Sequence, residues 1–179
     1  MRNILILFII LLSVKTIDAQ QVKFDSSALN QVVYDSTLDN DILLGIFDVE
    51  GLRSAKVFKK SFKQERKYTP DIDMFMPGDN SLNELDISIV MGSWCPDSQR
   101  EVPRMIMILE NLDYPMQKVK IIAVNRWKKV PDMDLTSYNI IYVPTFIFYK
   151  DGVEVGRIVE APKHSLEIDI INILNNIKQ

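Results

Sequence analysis

Leu52, Ala55, Phe58 and Phe62 recur three and four residues apart with lysines between them, until Thr69-Pro70 ends the pattern. That is the period of a helix burying one face. Ahead of it, Ile42 to Phe47 is a short apolar run of strand type, weakened by Gly45. A turn signal, Pro77-Gly78-Asp79-Asn80, marks 71–85 as a connecting loop with one helical turn at most. Ile87, Ile89, Val90 and Met91 then form a strand that runs into Trp94-Cys95-Pro96. Proline suits the first turn of a helix, so Cys95 sits at a helix start. Val102, Met105, Ile106 and Leu109 make that helix's apolar face, and Pro103 in its interior predicts a kink. Val119 to Val124 reads as a buried strand and Asp134 to Tyr138 as a short helix. Pro144 to Tyr149 and Val153 to Val159 flank the hairpin turn Lys150-Asp151-Gly152. Leu166, Ile170, Ile173, Leu174 and Ile177 mark a closing amphipathic helix.

The predicted order is therefore βαβαβαββα. Helical crossovers imply parallel neighbours and the final hairpin an antiparallel edge, giving an α/β domain over 39–179 with a central mixed sheet flanked by helices on both faces. Residues 20–38 are polar with little periodicity and read as a loosely held lead-in.

Composition bounds the function classes. With 47% hydrophobic and 25% charged residues, 179 residues suit one globular domain. The first 19 residues read as a secretory signal: Met1-Arg2-Asn3, an apolar stretch from Ile4 to Leu12, and Ala19 as the last residue before cleavage. The stretch is about half the roughly 20 residues a membrane anchor needs. The expectation is an exported bacterial protein, periplasmic or extracellular, with no stable membrane insertion after cleavage. Cleavage takes Arg2, Lys15 and Asp18 from 21 basic and 24 acidic side chains, leaving 19 and 23 and a formal charge of −4. Such a balance argues against nucleic acid as a partner. Lys56 to Lys67 reads as the wet face of a helix.

Cys95 is the only cysteine, so no disulfide forms within the chain. It is either buried filler or a thiol kept for chemistry or for an intermolecular bond, and the helix-start context favours chemistry. A thiolate is the nucleophile in exchange, and unpaired N–H groups at a helix N-terminus favour negative charge. Ser98, three residues on, is spaced to donate a hydrogen bond to the sulfur. Asp97 reads as a first-turn acid that also opposes a neighbouring thiolate. His164 reads as a solvent-facing residue before the last helix, and Trp127 as loop packing. One Cys and one His, far apart, make no metal site, and no cofactor is implied.

The segments "SWCPDS" and "VPTFIFYKDG", in this order of elements, resemble the thioredoxin superfamily over roughly 40–179. Trp94 precedes the cysteine, Pro103 falls eight residues after it, and Tyr138 to Thr145 follows the family's approach to a cis-proline. The wording around the motif is similar to secreted bacterial thioredoxin-like proteins with a Cys-x-x-Ser, monothiol, motif. The resemblance implies exchange at Cys95 with Ser98 in place of the resolving cysteine, and Ile89 where thioredoxins carry a buried aspartate. It further implies a cis Pro144, a Val143 backbone that pairs with an extended substrate, and contacts from Trp94, Pro96, Tyr142 and Thr145. Glu160 falls near a groove-lining glycine, as a modulator beside Asp97.

Without a second cysteine, a mixed disulfide has to be released by an external thiol. The implied partners are a disulfide- or thiol-bearing protein or a small thiol. Isomerase-like shuffling, removal of a small thiol cap and long-lived capture all stay open, as does a non-catalytic binding or folding-helper module. Oligomeric state is not legible.

Overall fold

A computed structural model describes residues 24–76, 78 and 80–178; the segment read as an export signal lies outside them. Six strands form one sheet: β1 (Gln31–Asp35), β2 (Asn40–Phe47), β3 (Asp86–Met91), β4 (Val119–Ala123), β5 (Thr145–Lys150) and β6 (Val153–Val159), in the order β1-β2-β4-β3-β5-β6. Four helices accompany them: α1 (Val49–Ser54), α2 (Lys56–Glu65), α3 (Pro96–Asn111) and α4 (Leu166–Ile177).

The polar lead-in is corrected by β1, which pairs antiparallel with β2 from Gln31↔Leu44 to Asp35↔Asn40. Val33 is half-buried while Val32 and Tyr34 are exposed, so the strand has one inward apolar residue and too short a period to read. Gly45 belongs inside β2: its φ is +95°, and a Cβ there would lie 3.3 Å from the Phe24 ring.

Parallel pairing holds for β3 and β4, joined through α3, whereas β2 meets β4 antiparallel at Gly45↔Ala123 to Phe47↔Ile121. The physical reason is the intervening chain. It runs out along α1 and α2 and returns through 3-10 turns at Ile72–Met74 and Ser81–Glu84, so β3 starts at the end of the sheet where β2 stopped. The expected single helix at 52–62 is two. Asp48 accepts from Gly51 N–H to cap α1, and Ala55, with ψ at 119°, breaks the backbone before α2.

The central strand β3 is buried on both faces, as its apolar run requires. Ile87, Ile89 and Met91 face one apolar cluster, together with Phe146 and Phe148 from β5. Helical expectation and structure part here. All four helices bury their apolar side chains in that one cluster, including Leu52, Phe58, Met105, Ile106, Ile170 and Leu174. The other face carries Leu44, Val90, Ile122 and Val124 and is covered by Phe24 and the chain between β4 and β5. The short helix expected over 134–138 is a 3-10 turn, Thr136–Tyr138. Asp134 accepts from Thr136 N–H and Oγ–H, a local arrangement that competes with a helix. One face of the sheet is thus roofed by helices and the other by a loop.

Candidate functional site

The loop between β3 and α3 is fixed before Cys95 is considered. Gly92 N–H donates to Ser98 Oγ at 3.2 Å, and Ser93 Oγ accepts from Leu43 N–H at 3.0 Å. Gln99 Nε2 donates to Ser93 O at 2.7 Å, and Cys95 N–H to Gly92 O at 2.9 Å. Gly92 has no room for a side chain, because a Cβ there would sit 2.6 Å from the Trp94 indole. That indole is held in turn, Nε1 donating to Val124 O at 2.9 Å, with the Arg126 guanidinium 5.8 Å from the ring centroid. Pro96 opens α3, as its missing N–H permits.

Cys95 is the residue at the start of α3 and is 8% exposed. It lies in the loop-covered cluster with Leu44, Val90, Ile122, Val124, Val130 and Val143. Its Sγ donates to the Val143 carbonyl at 3.1 Å. The Val143–Pro144 peptide is cis and leads directly into β5. A helix-start cysteine against that bend, on a β3-α3-β4 parallel unit followed by the β5-β6 hairpin and α4, decides the architecture. The fold is thioredoxin-like.

No protein-family model matches the chain, and neither does any curated protein. Similar solved structures include a Fasciola hepatica thioredoxin at 18% identity, with 54% of this chain and 84% of that one covered and a TM-score of 0.37. Thioredoxin O2 from Arabidopsis thaliana, in its oxidised state, is 20% identical, with 68% and 87% covered and a TM-score of 0.36. A Pseudomonas aeruginosa protein of unknown function is 13% identical, with 73% and 91% covered and a TM-score of 0.46. Likenesses at this level do not extend to activity, and the chemistry has to be argued from the site.

Ser98 is corrected. It is fully buried, its Oγ accepts from Gly92 N–H, and no hydrogen bond joins it to Cys95 among the described residues. One helical turn brings the hydroxyl oxygen to the Gly92 amide behind the loop. Asp97 is paired with Arg100 at 2.7 Å, and Arg100 also meets the buried Glu101 at 2.5 Å. Those carboxylates hold the Arg100 guanidinium above its ordinary range, the Glu101 hydrogen bond foremost. Glu160 has φ +61° and donates its N–H to Pro144 O at 2.7 Å, so its backbone buttresses the bend while its side chain is exposed. Pro144 is buried. Thr145 Oγ1 donates to Tyr142 O at 2.7 Å, closing the bend from within, and Tyr142 itself is 51% exposed. Ile89 is fully buried in the helix-covered cluster.

Trp94, Cys95, Val143, Pro144, Thr145 and Glu160 thus share one end of the sheet. Trp127 is 62% exposed rather than packed into its loop, and the His164 ring, largely exposed, lies 3.4 Å from Asp169 just before α4. Among the described residues no three His, Cys, Asp or Glu side chains gather to hold a metal, and no helix is long and apolar enough to cross a membrane. Sequence reasoning missed Val124, Arg126 and Gly92 as the setting of Trp94. A lone glycine between an apolar strand and a tryptophan was the available signal.

Proposed function

We propose that the protein carries out thiol–disulfide exchange through Cys95 alone, outside the cytoplasm. One observation carries the reading: the Cys95 sulfur sits at the start of α3, 3.1 Å from the carbonyl of Val143. An extended client laid along Tyr142–Val143 adds a strand to that bend, pairing with Val143 N–H, which has no partner among the described residues, and with Val143 O. The client's N–H takes the acceptor that the thiol now uses. Cys95 is released from its hydrogen bond as the client arrives and gives its proton to solvent. The thiolate attacks one sulfur of the client disulfide; the Cys95–client S–S bond forms, the client S–S bond breaks, and the second client sulfur leaves as a thiolate. With Ser98 at the fourth motif position, an external thiol attacks the mixed disulfide and discharges Cys95. The export pattern of residues 1–19 supports a compartment where clients hold disulfides.

Burial of the sulfur favours a second reading, a binding or folding-helper module without turnover. Cleavage of a peptide mixed disulfide under excess small thiol separates the two. Exchange predicts many product molecules per protein beyond the background of the small thiol itself, and no more than that background from Cys95→Ser. Product formation at the rate of the Cys95→Ser protein would leave only the module.

A further inference from the structure

The longest irregular connection, between β4 and β5, does more than cover the second face of the sheet. It encloses an open cleft of about 760 Å³ whose apolar walls are Trp127, Val130, Met133, Leu135, Ile140 and Ile141. Val130 belongs to the same cluster as Cys95 and Val143, with Met133, Leu135 and Ile140 packed against it, so the floor of the cleft is continuous with the wall behind the sulfur. Ile141, 69% exposed, immediately precedes Tyr142 and Val143. Trp127 and Ile141 leave apolar surface bare at the cleft, and Tyr142, the next residue in the chain, leaves more beside the bend.

Polar contacts hold the cleft open from both ends. Asn125 Oδ1 accepts from Trp127 N–H and Lys129 N–H, each at 3.0 Å. Arg157 Nη1 donates to Tyr138 O at 3.1 Å, and Lys120 Nζ donates to Tyr138 Oη at 2.9 Å. A loop fixed in this way does not have to be ordered when a ligand arrives. Charge gives the direction. Lys128 and Lys129 line the rim with no ion-pair partner among the described residues, while Asp134, the one acid of the lining, is engaged by Thr136.

We infer that this cleft is a specificity pocket for the polypeptide that Cys95 attacks: it takes one large apolar side chain near the client's sulfur, with an acidic group of the same segment against Lys128 and Lys129. The inference rests on the exchange reading for the client's identity as a polypeptide. The cleft's volume of about 760 Å³, and its continuity with the Val143 bend where the exchange reading lays an extended strand, fit a peptide segment.

The test uses the Cys95→Ser protein and blocked cysteine-free hexapeptides carrying one Phe and two Glu, with Phe→Ala and Glu→Lys versions for comparison. Trp127 is the reporter, since a side chain so exposed shifts its emission to shorter wavelength when covered; Trp127→Phe assigns the signal. The Phe/Glu probe is expected to bind saturably, the Phe→Ala probe about tenfold more weakly or worse, and the Glu→Lys probe about fivefold more weakly at low salt. The pair Lys128→Gln and Lys129→Gln is expected to remove the preference for Glu. Equal binding of all three peptides, or none at millimolar concentration, overturns the inference. If wild-type protein exchanges peptide disulfides without regard to the flanking residue, the pocket falls and the exchange reading stands. If Cys95→Ser discriminates among the probes while wild type exchanges nothing, the pocket stands and the exchange reading falls.

Discussion

The two faces of the sheet are built from the same kinds of strand residue and finished in opposite ways. On one, four helices bring Leu52, Phe58, Met105, Ile106, Ile170 and Leu174 into a closed apolar cluster. On the other, Leu44, Val90, Ile122 and Val124 meet a loop, the sulfur of Cys95 and an open cleft. Helical roofing satisfies its own backbone and seals the core. A loop leaves backbone groups and apolar side chains available, and those are what a binding site uses. Stability therefore belongs to the first face and the proposed recognition to the second.

The largest effect should separate the faces. Ile106→Ala, in the sealed cluster, is expected to cost about 2–5 kcal/mol of unfolding free energy, because it leaves a cavity that the helices cannot fill. Met133→Ala in the cleft wall should cost about 1 kcal/mol or less, since solvent already reaches that wall. Denaturant titration measures both, and equal losses would break the comparison.

Next comes Glu167, buried on α4, which accepts from Tyr68 Oη at 2.5 Å and from Asp71 N–H at 3.2 Å. Burial pushes this carboxyl upward, but the hydrogen bonds from Tyr68, Ser165 and the backbone outweigh it, leaving it below the ordinary glutamate range. Burial and the Glu167 contact in turn push the Tyr68 phenol well above its usual value. A carboxyl lowered on folding stabilises the protein above its unfolded value, and that contribution disappears as pH falls through the folded one. Glu167→Gln should cost about 1.5–3 kcal/mol at neutral pH, less as the pH drops toward the acid range. Urea midpoints at several pH values measure it, and a cost that grows with acidity would contradict the assignment.

Ser98→Ala leaves the Gly92 amide without its acceptor at a buried position, an expected loss of about 1–3 kcal/mol. The rate at which Cys95 reacts with an alkylating agent should change less than twofold, because no hydrogen bond joins Ser98 to the sulfur among the described residues. A tenfold change would restore the direct role that the spacing suggested. The smallest effect is at Glu160, whose left-handed backbone favours glycine: Glu160→Gly should stabilise by about 0.5–1 kcal/mol while retaining the N–H to Pro144 O contact. Thermal unfolding would show it as a small upward shift.

How much of this was legible follows from the range of each interaction. Strands β2 to β6 and helices α3 and α4 announce themselves by local periodicity, and the approach of Cys95 to Val143 was implied by resemblance. The β1 strand, whose only inward-facing apolar residue is Val33 between Gln31 and Asp35, has no hydrophobic period to read. Pairing β2 antiparallel to β4 depends on where a long excursion returns, which no local pattern encodes. The Gly92 partner of Ser98 was not legible, because helical spacing names the residues within reach without saying which buried group the hydroxyl meets, here an amide six residues back. The cleft was invisible for a related reason: Trp127 and Ile141 are far apart in the chain, and only the loss of the helix expected over 134–138 leaves the space between them.

The central claim is that Cys95, although nearly covered, exchanges with a disulfide in the folded protein. Intact-mass analysis after mixing native protein with a small peptide disulfide tests it most directly. The account predicts a single adduct at Cys95 that excess external thiol removes and that Cys95→Ser does not form. An adduct that appears only once denaturant has opened the fold would contradict it.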